Sequence, residues 1–280
     1  MLVSVLGSGS SGNVTFVSDG AAGVLVDLGL ACRETEKRLR AAGIRVSMIR
    51  AIFLSHEHDD HARGAFRFAA RHRVPIYATQ GSFRTGRARF AHSKGKGKDV
   101  EWVRIRAGQS LKLGGMAVEP FATPHDAAEP VGFRFREGRL VFAHVTDIGH
   151  ISRSVEEGLE GAQVVLIESN HDLDMLRRGP YPESLKQRVG SRLGHLSNEA
   201  LASYLEKRLP ETARHLFLAH LSRTNNHESL ALASCREALS RRGGARPTVH
   251  LTYHDQATPM LRVREARRVE PDERQGVLRF

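Results

Sequence analysis

The chain has 280 residues, 40% of them hydrophobic and 26% charged, which suits an ordinary folded protein with length enough to bury a core. No apolar run approaches the roughly 18–20 residues that a transmembrane helix needs, and two distant cysteines, Cys32 and Cys235, argue against a disulfide framework or a thiolate zinc site. The formal net charge of +11 favours polyanionic partners, because each lysine or arginine near a phosphate releases counterions, although a merely solubilising basic surface would look the same.

Taken in chain order, Met1–Gly7 is apolar but short, lacks a basic start and runs into glycine and serine. It reads as a first strand rather than a signal peptide, and with so few cysteines the expected compartment is the reducing cytoplasm. Strands are expected at Leu2–Leu6, Asn13–Val17 and Gly23–Asp27, separated by Gly7-Ser8-Gly9-Ser10-Ser11-Gly12 and by Asp19-Gly20. The glycine-rich turn lacks the G-x-x-x-x-G-K-[ST] pattern of a phosphate loop, and a hairpin turn explains it. A helix over Glu34–Ala42 stops at Gly43, and Arg50–Leu54 reads as a buried strand. Ala62–Arg73 sets Ala65, Phe66, Ala69 and Ala70 between arginines, as an amphipathic helix would.

After a strand at Val74–Ala78 the composition changes. Arg84, Arg87, Arg89, Lys94, Lys96 and Lys98 stand among glycines and serines with little to bury, which predicts a basic loop or arm at about 81–99. Strands follow at Glu101–Ile105, Met116–Phe121, Val131–Phe135, Leu140–Val145 and Val164–Glu168. Helices are expected near Pro182–Val189, Asn198–Arg208 and Glu228–Ser240, with strands at His215–Ala219, Thr248–Tyr253 and Pro259–Val263. No repeat or Pro/Ser-rich linker divides the chain, so one domain over 1–280 is expected.

The most informative stretch is His56-Glu57-His58-Asp59-Asp60-His61, directly after the strand that ends at Leu54. At a strand end, His56 and His58 can point to one side, while Asp60 and His61 follow as the chain bends and can face a second ion. Imidazole and carboxylate ligands suit zinc, manganese or iron. Burying such a cluster without a cation would be costly. It supplies too few ligands for two ions, so later residues must return to it. His125, Asp147 and His220 each sit at the end of an expected strand.

In order and spacing, His56, His58, Asp60, His61, His125, Asp147 and His220, with Asp27 before them, resemble the motifs of the metallo-β-lactamase superfamily. The finer pattern resembles its YycJ/WalJ/VicX-like branch: Gly7–Asn13, Thr123-Pro124-His125-Asp126-Ala127, Glu168-Ser169-Asn170-His171-Asp172, Gly194-His195-Leu196-Ser197-Asn198, and His220-Leu221-Ser222 with Asn225-Asn226. The resemblance spans nearly the whole chain. It implies an α/β fold of the αββα four-layer sandwich type, with a site at one edge between the sheets. It further implies a metal-dependent nuclease, with 5′-to-3′ exonuclease action on DNA.

By that resemblance, one divalent ion, zinc or manganese, is held by His56, His58 and His125, and a second by Asp60, His61 and His220, with Asp147 between them. Two ions roughly 3.5–4 Å apart activate water for in-line attack on phosphorus. Asp60 is then placed to take or orient the proton of that water. Asp27 is expected to orient a ligand histidine, unless it only caps its turn. Glu168 and His195 resemble the Glu and His motifs of the transfer-RNA 3′-processing endonucleases, where such a histidine assists the leaving oxygen. Ser222, Asn225 and Asn226 are candidates for substrate binding, and the two asparagines could equally fix the loop around His220. The other histidines are read as ordinary structure, with His144 and His150 flanking Asp147. DNA is favoured over RNA as partner and no membrane is expected. A glyoxalase II-type thioesterase and a non-catalytic nucleic-acid-binding module on the same fold are the alternatives, since a fold does not set a substrate.

Overall fold

The computed structural model describes residues 1–90 and 100–265. The first half runs β1 (Leu2–Gly7), β2 (Val14–Ser18), β3 (Gly23–Val26), α1 (Cys32–Ala41), a 3-10 turn (Val46–Met48), β4 (Ile49–Phe53), α2 (Asp59–Ala62), α3 (Ala65–His72), β5 (Ile76–Thr79), α4 (Gln80–Phe90) and β6 (Trp102–Ile105). A meander follows, of β7 (Leu111–Leu113), β8 (Met116–Ala122), β9 (Val131–Glu137) and β10 (Leu140–Val145). Next come α5 (Arg153–Leu159), β11 (Val164–Glu168), α6 (Leu173–Arg178), α7 (Glu183–Val189), α8 (Asn198–Arg208) and β12 (His215–Ala219). The described chain ends with α9 (Glu228–Arg242), β13 (Thr248–Leu251) and β14 (Leu261–Arg262).

These strands form two sheets, ordered β14-β1-β2-β3-β4-β5-β6 and β13-β12-β11-β10-β9-β8-β7. Pairing is parallel where a helix intervenes, β3 through β6 in the first sheet and β10 through β13 in the second, and antiparallel elsewhere. The parallel strands are covered on both faces, which explains their continuous apolar runs. On β11 and β12, Val164, Leu166, Phe217 and Ala219 face the other sheet with Phe53, Phe133, Phe135 and Phe142. Val165, Ile167, Leu216 and Leu218 pack outward with Val155 and Leu159 of α5, Leu201 and Leu205 of α8 and Leu239 of α9. On the far side, Leu39 of α1 and Phe68 of α3 cover Phe16, Leu25 and Ile52. The order of layers is helix, sheet, sheet, helix, the α/β sandwich expected from the sequence.

Three local differences have physical causes. The expected basic arm is helical in its first part, because Gln80–Phe90 continues from β5 as α4, and 91–99 lies outside the described residues. The short helices α2, α5 and α6 carry too few turns to show a period in the sequence. The helix expected over Ala62–Arg73 is interrupted at Gly64, where a Cβ would lie 1.9 Å from the Leu30 carbonyl oxygen.

Gly29 makes the matching approach from the other side. A Cβ there would lie 1.7 Å from the Asp60 carbonyl oxygen. That carbonyl also accepts the Asn13 backbone N–H at 2.7 Å. The close contact holds the turn after β3 against the histidine loop. Gly29→Ala is therefore expected to displace Asp60 and lower stability by about 1–3 kcal/mol. Denaturant melts and hydrolysis assays on the variant check this, and an unchanged melt would show that the loop yields freely.

Candidate active site

Five strand ends meet at one edge of the sandwich: those of β3, β4, β8, β10 and β12. The residues that matter there leave the strands in an unusual way. Asp27 directly follows β3, Asp147 lies just past β10 and His220 directly follows β12, and their φ angles are +57°, +56° and +56°. A left-handed backbone outside glycine costs of order 1–3 kcal/mol, so the surrounding packing holds three strained turns at one place. Asp147 and His220 turn their side chains into one cleft, and Asp27 stands behind His61.

Two groups of ligand atoms form. In the first, His58 Nδ1 lies 3.1 Å from His56 Nε2 and 3.3 Å from His125 Nε2. In the second, Asp60 Oδ2 lies 3.6 Å from His61 Nε2 and 3.4 Å from His220 Nε2. Asp147 stands between them, with Oδ2 3.0 Å from His61 Nε2, and Oδ1 3.6 Å from His220 Nε2 and 3.9 Å from His125 Nε2. The structure thus brings together all seven residues singled out in the sequence.

What keeps those nitrogens turned inward is a set of partners on the opposite side of each ring. His61 Nδ1–H donates to Asp27 at 2.8 Å, leaving Nε2 with its lone pair toward the cleft. Ser55 Oγ lies 2.9 Å from each Asp27 oxygen and 3.0 Å from His56 Nδ1, so it donates to the carboxylate and accepts from the imidazole. The His125 Nδ1–H donates to the Gly194 carbonyl at 3.1 Å. His220 Nδ1–H donates to Glu168 Oε1 at 3.1 Å, and its backbone N–H donates to the Ser8 hydroxyl at 2.8 Å. Four rings are held with Nε2 toward the cleft.

Glu168 has a second function in the geometry. Its Oε1 also accepts from His195 Nδ1 at 2.8 Å, while Oε2 accepts the backbone N–H groups of Ile148 and Leu196 at 2.9 and 3.1 Å. Burial opposes ionisation of this carboxyl, yet His195 and His220 outweigh it and bring its pKa down to about 2. Burial likewise disfavours a charged His195, but the Glu168 carboxylate raises its pKa above the ordinary imidazole value. The His195 ring stacks on that of His220, with centroids 5.3 Å apart, at the edge of the cleft.

The donor set fits divalent cations on two counts. Asp147 Oδ2 is buried and accepts no hydrogen bond among the described residues, although four imidazoles, those of His61, His125, His195 and His220, surround its carboxylate. The charge balance points the same way. Burial resists charging of His61 and His220, but Asp147 and the neighbouring carboxylates raise both well above the ordinary imidazole range. Burial and the neighbouring His61 push His56 well below it. Cations would balance the same carboxylates while leaving the ring nitrogens as neutral ligands.

Of the residues expected to meet substrate, Asn226 is turned inward. Its Nδ2 donates to the carbonyls of Ser169 and Asn170 at 2.9 and 3.0 Å, and its Oδ1 accepts from Asn198 at 2.9 Å. These bonds tie the loop that follows His220 to the segments around Ser169 and Asn198. Asn225 is also buried, its carboxamide without a hydrogen-bond partner among the described residues, and its backbone N–H donates to Ser222 Oγ at 3.1 Å. Three other residues emerge only in three dimensions. Ser55 joins Asp27 to His56. Asn13 Nδ2 reaches 2.9 Å from His61 Nε2, and Asp126 Oδ1 lies 3.3 Å from His125 Nε2. Asn13 and Asp126 stand inside the motifs already noted, but nothing local shows where they point. His144, read as ordinary, is buried at the sheet interface, where burial brings its pKa down to about 4 and Nε2 meets Thr15 Oγ1 at 3.2 Å.

With this geometry in place, comparison with known proteins gives consistent results. Residues 23–221 match the beta-lactamase superfamily domain. The chain is 34% identical to exodeoxyribonuclease YycJ of Bacillus anthracis over 240 residues, which covers 86% of this chain and 89% of that protein. It is 33% identical to exodeoxyribonuclease WalJ of Streptococcus pneumoniae serotype 2 over 265 residues, covering 93% and 97%. Among solved structures, the metallo-beta-lactamase fold protein YhfI of Bacillus subtilis superposes with a TM-score of 0.66 at 18% identity, covering 92% of this chain and 98% of that one. Zn(2+)-bound PqqB of Methylobacterium extorquens gives 0.66 at 19%, covering 92% and 99%. At those identities the superpositions speak for the fold alone.

Proposed function

The chain belongs to the metallo-β-lactamase superfamily, in its YycJ/WalJ branch, and on that footing we propose that it is a metal-dependent DNA exonuclease acting in the 5′-to-3′ direction. The observation that carries the reading is the convergence of seven ligand side chains around the buried Asp147 carboxylate, in a chain whose similar relatives are named exodeoxyribonucleases. A non-catalytic module would have no need to keep all seven. The net charge of +11 suits a polyanion better than a neutral thioester. No helix among the described residues is long and apolar enough to cross a membrane.

In this reading His56, His58 and His125 would hold one divalent cation, Asp60, His61 and His220 a second, and Asp147 would serve both. Two bound cations, zinc or manganese, would supply Lewis acidity that polarises the phosphoryl oxygens and makes the attacking water acidic. The chain's own groups do the rest. Asp27, Ser55, Gly194 and Glu168 hold the ligand rings in one tautomer, so that no reorganisation is needed as charge develops. Asp60, at the cleft edge, accepts and orients the proton of the attacking water. His195, kept protonated by Glu168 at Nδ1, presents its other N–H to the leaving oxygen.

The test is direct. Single- and double-stranded DNA and RNA, labelled at the 5′ or 3′ end, are incubated with the protein and manganese or zinc. Mononucleotide release from the 5′ end of DNA is expected. A metal-loaded protein that cuts none of these substrates would overturn the proposal, and turnover of a thioester instead would favour the alternative enzyme.

A further inference from the structure

The Asn226 carboxamide is committed to its own loop, and a DNA strand brings charge that a cation on the rim can meet. The segment that delivers His195 offers a group for this. The loop after α7 is wedged against the turns that carry His125 and Asp147. A Cβ on Gly149 would lie 2.2 Å from the Arg192 carbonyl carbon, and the Leu193 carbonyl accepts the Asp126 N–H at 3.0 Å. On the last turn of α7, Arg188 Nε donates to Asp126 Oδ2 at 2.6 Å. The other oxygen of that carboxylate lies 3.3 Å from His125 Nε2, the nitrogen that faces the cleft.

Arg188 is thus tied by one carboxylate to the edge of the candidate metal site, yet its side chain is 59% exposed. A guanidinium carries five N–H donors in a planar fork. Asp126 takes one, and among the described residues the Arg188 side chain makes no other hydrogen bond. The free edge of the fork is available to an incoming anion and matches the geometry of a phosphate. Arg192, beside His150 at 3.2 Å, adds positive charge on the same rim.

We infer that Arg188, positioned by Asp126, binds a non-bridging phosphate oxygen of the DNA strand at a linkage next to the one that is cut. The inference rests on the nuclease reading above. Such a contact holds the backbone in register and reads no base, so it contributes affinity without sequence preference.

The test uses the metal-loaded enzyme and single-stranded oligonucleotides in which one linkage at a time is a neutral methylphosphonate. In the unmodified enzyme, one position near the cut should raise KM about tenfold, the loss expected of one charge-assisted contact. Arg188→Ala should raise KM about tenfold on the all-phosphate strand, leave kcat within about twofold, and show no further penalty at that position. It should also flatten the salt dependence of binding by about 0.7 in the log–log slope. Arg188→Lys, which keeps the charge and loses the fork, should recover the slope and only part of KM. An Arg188→Ala enzyme with the original methylphosphonate profile and salt slope would overturn the inference while leaving the nuclease reading intact. An unmodified enzyme that cuts no DNA would overturn both.

Discussion

Asp147→Asn is expected to abolish hydrolysis, by about a thousandfold or more, and to strip metal from both halves of the site. The substitution isolates charge from shape. Asparagine tolerates the left-handed backbone at φ +56° about as well as aspartate does, so the turn after β10 should survive. What is lost is, among the described residues, the one carboxylate within reach of both ligand groups, 3.0 Å from His61 Nε2, 3.6 Å from His220 Nε2 and 3.9 Å from His125 Nε2. Without it, two cations would face each other across a neutral amide whose N–H groups repel them. Elemental analysis of the purified variant, beside rate measurements and a thermal melt, checks the expectation. A folded variant with full metal content and near-normal rates would show that Asp147 does not serve both sites.

His195→Ala should behave differently. Loss of a general acid costs about 10²–10⁴-fold in rate, while metal content stays as it was, because His195 is absent from the seven residues assigned to the cations. Two readouts separate this from a structural role. The penalty should shrink on a phosphodiester whose leaving group is p-nitrophenolate, which departs without a proton. The alkaline limb of the pH profile should also change. Glu168 raises the His195 pKa in the fold, so the active, protonated form persists below that raised value and is lost as the pH climbs through it. In the unmodified enzyme this limb should lie above the ordinary imidazole pKa of about 6.5, and in His195→Ala it should vanish. Equal losses on both leaving groups with an unchanged profile would assign His195 to architecture alone.

The two variants probe features that were legible to different degrees. The H-x-H-x-D-H cluster reads directly, because four potential ligands fall within six residues at the end of a buried strand, and α2 starts within them at Asp59. His125, Asp147 and His220 follow from the same logic of strand ends. The assignment of Asn226 stayed open because an asparagine between a strand and a helix can face either way. Its burial against Ser169, Asn170 and Asn198 depends on loops 28 and more residues apart. Helix α4 is not legible in the sequence, because a run of arginines and glycines has no apolar period to display.

The amino-acid order by itself determined the inventory: which imidazoles and carboxylates are present, at which strand ends, and in which succession. Those are local properties of short segments. Only the tertiary structure decided which ring nitrogen of each histidine faces the cleft, since that is set by the partner on the ring's other side. For His125 the partner is Gly194, 69 residues away, and for His220 it is Glu168, 52 residues away. A hydrogen bond between such distant groups exists only once the two sheets have packed, so no local pattern records it.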